Sequence, residues 1–148
     1  MTKEEVIHAR GHENVSAAHA STFEVTTDDY LMPAGDCILG IEADRAPADF
    51  DSEFVAACQH AEATITATFE VAESEAADDS DTHSETVTGR GDPDLTFENE
   101  RSAVGRTSDF VDDRTILLGA EFAAEGFDRD LVAALADGAE LTVRLTVE

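Results

Sequence analysis

Six side chains in the first quarter of the chain have the chemistry of a site: Arg10, His12, Asn14, His19, Asp36 and Cys37. A cysteine beside a histidine can act as a thiolate nucleophile, because a nearby imidazolium lowers the thiol pKa. His12, His19 and Cys37 also form an N/N/S donor set that suits Zn²⁺ with an open fourth position, the basis of a metal-assisted hydrolase. Neither spacing is diagnostic. His12 and His19 are seven positions apart, and an odd separation puts two side chains on opposite faces of a regular strand. They converge only where a turn at Gly11 or a bulge redirects one of them. A third chemistry needs no convergence. Arg10 can hold an anion through paired hydrogen bonds, with His12, Asn14, His19 and Asp36 adding hydrogen bonds or protons. Each residue also has a plainer role: His12 in a turn, His19 as a core histidine bonded to a backbone carbonyl, Cys37 as a small buried hydrophobe.

The elements that must position these residues are legible because the chain repeats itself. Arg10-Gly11 returns 80 positions later as Arg90-Gly91, and Phe50-Asp51 returns as Phe127-Asp128 at an offset of 77. Val6 to Ala9 has strand character and ends at Gly11, a turn residue expected at positive φ. Val15, Ala17, His19, Ser21, Phe23 and Val25 alternate with polar neighbours, which predicts one long half-buried strand. The run from Cys37 to Ile41 predicts a short buried strand, matched by residues 115–118 at an offset of 78. Asp51 and Asp128 are N-caps, each preceded by a phenylalanine placed to staple onto Val55 or Val132. Gly138 closes the second helix, and Ile65 to Val71 and Leu141 to Val147 alternate as the last strand of each half.

Each half therefore predicts β-β-β-α-β. Together they make a single domain, 1–148, of two pseudo-repeats (about 5–71 and 86–148) joined by an acidic loop, 72–85. One half alone leaves a sheet face bare, so the two pack around one core. The fold expected is α+β and β-rich: a closed or nearly closed barrel with two helices at its ends. A two-layer α+β sandwich is the alternative.

A duplication also supplies a two-row comparison. Reactive residues present in one row only are not required by the fold. His12 faces Asp92, His19 faces Asn99, and Cys37 faces Thr115, so the reactive groups gather in the first half. Cys58 faces Leu135 and belongs to the core.

Charge bounds the setting. The chain has 34 Asp and Glu against 9 Lys and Arg, net −25, and Lys3 is its one lysine. Such a chain repels itself at low ionic strength, whereas molar salt shortens the screening length to about 3 Å. The composition fits a halophilic protein from a salt-filled cytoplasm; an acidic surface made for a basic partner is the competing reading. Nucleic acid is not an expected partner, because phosphates call for clustered Lys and Arg. No run reaches the length of a membrane span, and the first residues do not form a signal peptide. Cofactor and oligomeric state are not legible.

Taken together, Arg10-Gly11-His12-x-Asn14-Val15, His19, Thr22-x-Glu24-x-Thr26 and Gly35-Asp36-Cys37-Ile38-x-Gly40 resemble the archaeal family known as domain of unknown function 371. Ser108-Asp109-Phe110 followed by Arg114-Thr115 is similar to that family's second motif. The resemblance covers nearly the whole chain, and the acidity would make it a haloarchaeal member. It implies a site in the first half and no assigned activity. Two departures stand out: Ala34 where the family often has arginine, and Asp92 where it often has histidine. The function expected is binding of a small polar or anionic ligand at the first-half residues. A Cys/His-dependent or metal-assisted hydrolytic enzyme is the alternative, and an interaction module without a pocket is a third.

Overall fold

The computed structural model describes residues 3–72 and 82–148. The first half contains β1 (Lys3–Arg10), β2 (Thr22–Thr26), β3 (Ile38–Gly40), α1 (Ser52–Cys58) and β4 (Thr64–Ala72). The second half repeats that order as β5 (Thr82–Arg90), β6 (Ser102–Arg106), β7 (Thr115–Leu117), α2 (Arg129–Ala136) and β8 (Glu140–Val147). One sheet runs β1-β8-β4-β5 and is antiparallel throughout. The other runs β3-β2-β6-β7, antiparallel at its centre and parallel in its outer pairs. Corresponding residues face each other at the centre of both sheets, Thr68 with Arg144 and Glu24 with Val104. The halves are therefore related by a pseudo-two-fold axis that crosses both sheets.

Period-two patterning places the core between the layers. In β4, Ile65, Ala67, Phe69 and Val71 are buried while Thr64 and Glu70 are exposed. Phe23 from the second sheet meets Phe69 edge-on, with ring centres 5.5 Å apart, and Phe127 lies 4.9 Å from Phe69. Such pairs add to the burial of the rings themselves. Both helices start where their caps predict. Asp51 accepts from the Glu53 amide, and Asp128 from the amides of Asp130 and Leu131. Phe50 meets Phe54 edge-on at 5.6 Å, and Gly138 ends α2 at a φ of +89°. Among the described residues no helix is long and apolar enough to cross a membrane.

The expected barrel does not form. Two separate four-stranded sheets and two helices make the two-layer α+β sandwich instead. Among the described residues the ladders of the two sheets meet at their edges as single-residue bridges, Arg10 with Ile41 and Arg90 with Leu118. β3 and β7 are three residues long, too short to carry a ladder round to β1 or β5.

Four further expectations are corrected. The long strand through Val15 is β2 alone, because Ala17 turns left-handed at φ 45° and Phe97 does the same at 52°. Val15 and Ala17 are buried from a loop, held by Arg129, which donates to the Ala17 carbonyl at 3.2 Å. The third strands align at an offset of 77, not 78: Glu24 pairs with Ile38 as Val104 pairs with Thr115. Cys37 thus corresponds to Arg114, not Thr115. In the acidic stretch 72–85, Ala72 ends β4 and residues 82–85 open β5; residues 73–81 lie outside the described residues.

The fourth correction concerns Gly11, which does not have positive φ. It is glycine because the other half's helix leaves no room: a Cβ there would sit 1.9 Å from the Leu135 carbonyl oxygen. Its amide donates to Ala139 at 2.8 Å. Gly91 repeats the contact, 2.1 Å from the Cys58 carbonyl, with its amide donating to Ala63 at 3.0 Å. Backbone cannot give way as a flexible side chain can. Gly11→Ala and Gly91→Ala should each lower the free energy of unfolding by about 3 kcal/mol or more. Gly138→Ala, with open space around it, should cost only about 1 kcal/mol. Denaturant midpoints measure all three, and equal losses would refute the close-approach account.

Candidate functional site

The two histidines are turn acceptors. The Nδ1 of His12 accepts from the Asn14 amide at 3.0 Å, and Asp92 Oδ1 accepts from the Asp94 amide at 2.8 Å in the matching turn. The Nδ1 of His19 accepts from the amides of Ser21 and Thr22 at 3.3 and 3.1 Å. Asn99 Oδ1 does the same for Arg101 and Ser102 at 2.8 and 2.7 Å. Each exchange keeps a side-chain acceptor where a turn exposes backbone N–H groups. An Nδ1 that accepts is unprotonated, so any proton of the neutral ring sits on Nε2.

Arg10 stands apart from the histidines, at the junction of the two sheets. Its guanidinium is ion-paired with Glu42 and lies in a shallow depression with His8, Asp44 and Glu140. Asn14 donates from Nδ2 to the Leu31 carbonyl at 2.7 Å, tying the first turn to the loop after β2. Asp36 acts through its carbonyl, which accepts from Ala18 and His19 at 2.9 and 3.2 Å.

Cys37 is half-buried and donates its thiol to Glu24 at 3.6 Å. Burial, then the charge of Glu24 and the bond to it, push the thiol up to about 11, against a hydrogen bond from Thr22. Thr22 also contacts the His19 Nδ1 through its hydroxyl, at 2.9 Å, so it stands between imidazole and thiol. Activation of a cysteine needs the opposite setting, a cation that stabilises the thiolate. Among the described residues no three His, Cys, Asp or Glu side chains are disposed to hold a metal ion.

A cleft of about 410 Å³ opens beside this group, on the face of the second sheet away from the core. Glu24, Ile38 and Ser102 rise from the strands. The loop after β2 supplies Asp28, Tyr30, Leu31, Met32 and Gly35, and the second half supplies Asn99, Arg101 and Arg114. The cleft has a clear origin in the repeat. The loop after β2 is three residues longer than its counterpart after β6, 27–37 against 107–114, and the longer loop is the one that forms the wall.

Charge in the cleft is unevenly paired. Arg101 grips Asp28 with its Nε at 2.9 Å from both carboxylate oxygens. Arg114 and the buried Arg106 share a single carboxylate, Asp112, at 2.8 and 3.0 Å. Burial works to raise Asp112, but hydrogen bonds from Arg114 and Thr115 and the charge of Arg106 outweigh it and hold the group near 2. Arg101 belongs to no motif, and Arg114 enters the sequence reading only through the second-half motif, without a role in the site. Two signals in the sequence could have found them: the unequal loop lengths, and the match of Cys37 to Arg114 once the offset is 77.

Residues 7–148 match the family model described as domain of unknown function 371 (DUF371). The chain is also 37% identical over 142 residues to an uncharacterised protein of Methanocaldococcus jannaschii, covering 96% of this chain and 98% of the relative.

The thiol offers a direct check of the site's electrostatics. Alkylation of Cys37 by iodoacetamide should be slow at pH 8 and climb towards pH 11. Glu24→Gln removes a negative charge that stabilises the protonated thiol, so it should move the profile to lower pH. Fast labelling at neutral pH in the wild type, read by mass spectrometry, would contradict this arrangement.

Proposed function

The chain belongs to the family of domain of unknown function 371, and from its geometry we propose that it binds a small polar or anionic ligand in the cleft over Glu24. The observation that carries this reading is Arg114. It lines the cleft, its side chain is 43% exposed, and it shares one carboxylate with Arg106. Two guanidiniums on one carboxylate leave donor capacity for an incoming oxyanion, and a guanidinium presents that capacity as a planar fork. Arg101 adds a second fork at the rim, held by Asp28 in the free protein. The first-half residues support this cleft from behind: Asn14 positions its loop wall, while Asp36 and His19 hold the segment leading into β3.

Titration with inorganic phosphate, followed by amide chemical shifts, tests the reading. Shifts should concentrate at Glu24, Asp28 to Ile38, Asn99 to Ser102 and Arg114. Arg114→Ala should weaken binding about tenfold, the loss of one charge-assisted contact. Arg144→Ala, on the other sheet and paired with Glu70, should change nothing. Absence of shifts in the cleft, or equal losses in both variants, would end the proposal.

We also infer that the net charge of −25 suits the protein to a salt-filled cytoplasm. Its thermal midpoint should rise steadily between 0.1 and 2 M KCl as mutual repulsion is screened. A midpoint that stays flat or falls would contradict salt adaptation.

A further inference from the structure

We infer that the ligand of this cleft carries an ammonium group as well as an oxyanion, the ammonium binding Glu24 and the oxyanion binding Arg114; this rests on the reading of the cleft as a ligand site. Glu24 occupies the pseudo-two-fold axis, directly across from its own counterpart, Val104. The fold thus accepts an aliphatic residue at that place and does not require the carboxylate. Yet the carboxylate is half-buried, and its hydrogen-bond partner is the Cys37 thiol at 3.6 Å, a weak donor. An ionised carboxylate has about four acceptor sites, so most of its capacity faces the cleft.

The arginines act on it through their charge alone, without a direct bond. Arg101 is spent on Asp28 and Arg114 on Asp112, and among the described residues neither forms an ion pair with Glu24. One cleft therefore holds an underused acceptor and, in Arg114, a guanidinium whose one carboxylate is shared with the buried Arg106. A purely anionic ligand would satisfy the guanidiniums while adding repulsion at Glu24. A purely cationic one would do the reverse. A small zwitterion answers both, and about 410 Å³ is room for a free small molecule. The exposed side chains of Tyr30 and Met32 offer apolar contact for the carbon chain between the two charges.

Three probes of similar chain length separate the alternatives: butyrate, butylammonium and 4-aminobutyrate, each titrated against the intact chain and followed at the cleft amides. The zwitterion should bind at least tenfold more tightly than either single-charge probe. Glu24→Gln should abolish that advantage and leave butyrate binding unchanged or stronger. Glu24→Val, which installs the residue of the other half, should do the same, and an unchanged amide spectrum elsewhere would show that it folds. If butyrate binds and 4-aminobutyrate binds no better, the zwitterion inference falls while the anion site stands. If none of the probes, nor phosphate, perturbs the cleft, both fall.

Discussion

The structure depends on a reciprocal close approach of backbones. Each half ends its first strand in Arg-Gly, and each glycine lies directly on the end of the other half's helix, where no Cβ could fit. The amide of Gly11 is satisfied by Ala139 and that of Gly91 by Ala63. Buried backbone donors demand such partners, so each half completes the hydrogen bonding of the other. At the same corners, Arg10 pairs with Ile41 and Arg90 with Leu118, holding the edges of the two sheets together. The repeated arginine is an anchor between layers before it is anything else.

Because the architecture is nearly symmetric, its departures from symmetry mark what the fold does not need. The histidines are weak departures. His12 and Asp92, like His19 and Asn99, differ in type but share one task, accepting from the backbone of a turn. Glu24 against Val104 is a strong departure, since a charged group and an aliphatic one cannot share a role. Cys37 against Arg114 is another. Both lie beside the connection whose length differs most between the halves, and that is where the second sheet opens into a cleft.

Much of the fold was legible in the sequence, and the errors have physical causes. β4 and β8 alternate cleanly because one face meets the core and the other meets solvent, and the caps Asp51 and Asp128 fix the helix starts. The pattern at Val15 and Ala17 looked the same, but a loop pinned into the core by Arg129 buries alternate residues as a strand does. The strand at residues 115–117 was misaligned by one because a short apolar run matches another equally well in either register. Only backbone pairing decides. The wrong register conceals the match of Cys37 to Arg114, and with it the cleft. Barrel closure was illegible for a related reason: it turns on whether edge strands extend past single bridges, and hydrophobic patterning does not report strand length at an edge.

Under the salt adaptation and the ligand site proposed above, salt sharpens what recognition at this cleft can use. In molar KCl the long-range field of 34 carboxylates is screened within about 3 Å, so neither attraction nor repulsion at a distance can select a ligand. Contacts shielded from solvent survive. Arg106 is 9% exposed and bonded to Thr115 and Asp112, so its charge is felt in the cleft wall whatever the bulk salt. The half-buried Glu24 persists on the same grounds, while the exposed fork of Arg114 acts by direct contact. Selectivity at such a site must come from hydrogen-bond geometry at contact distance, with an acceptor and a donor fork lining one cleft. That requirement favours a ligand with two differently charged ends over one that merely carries charge.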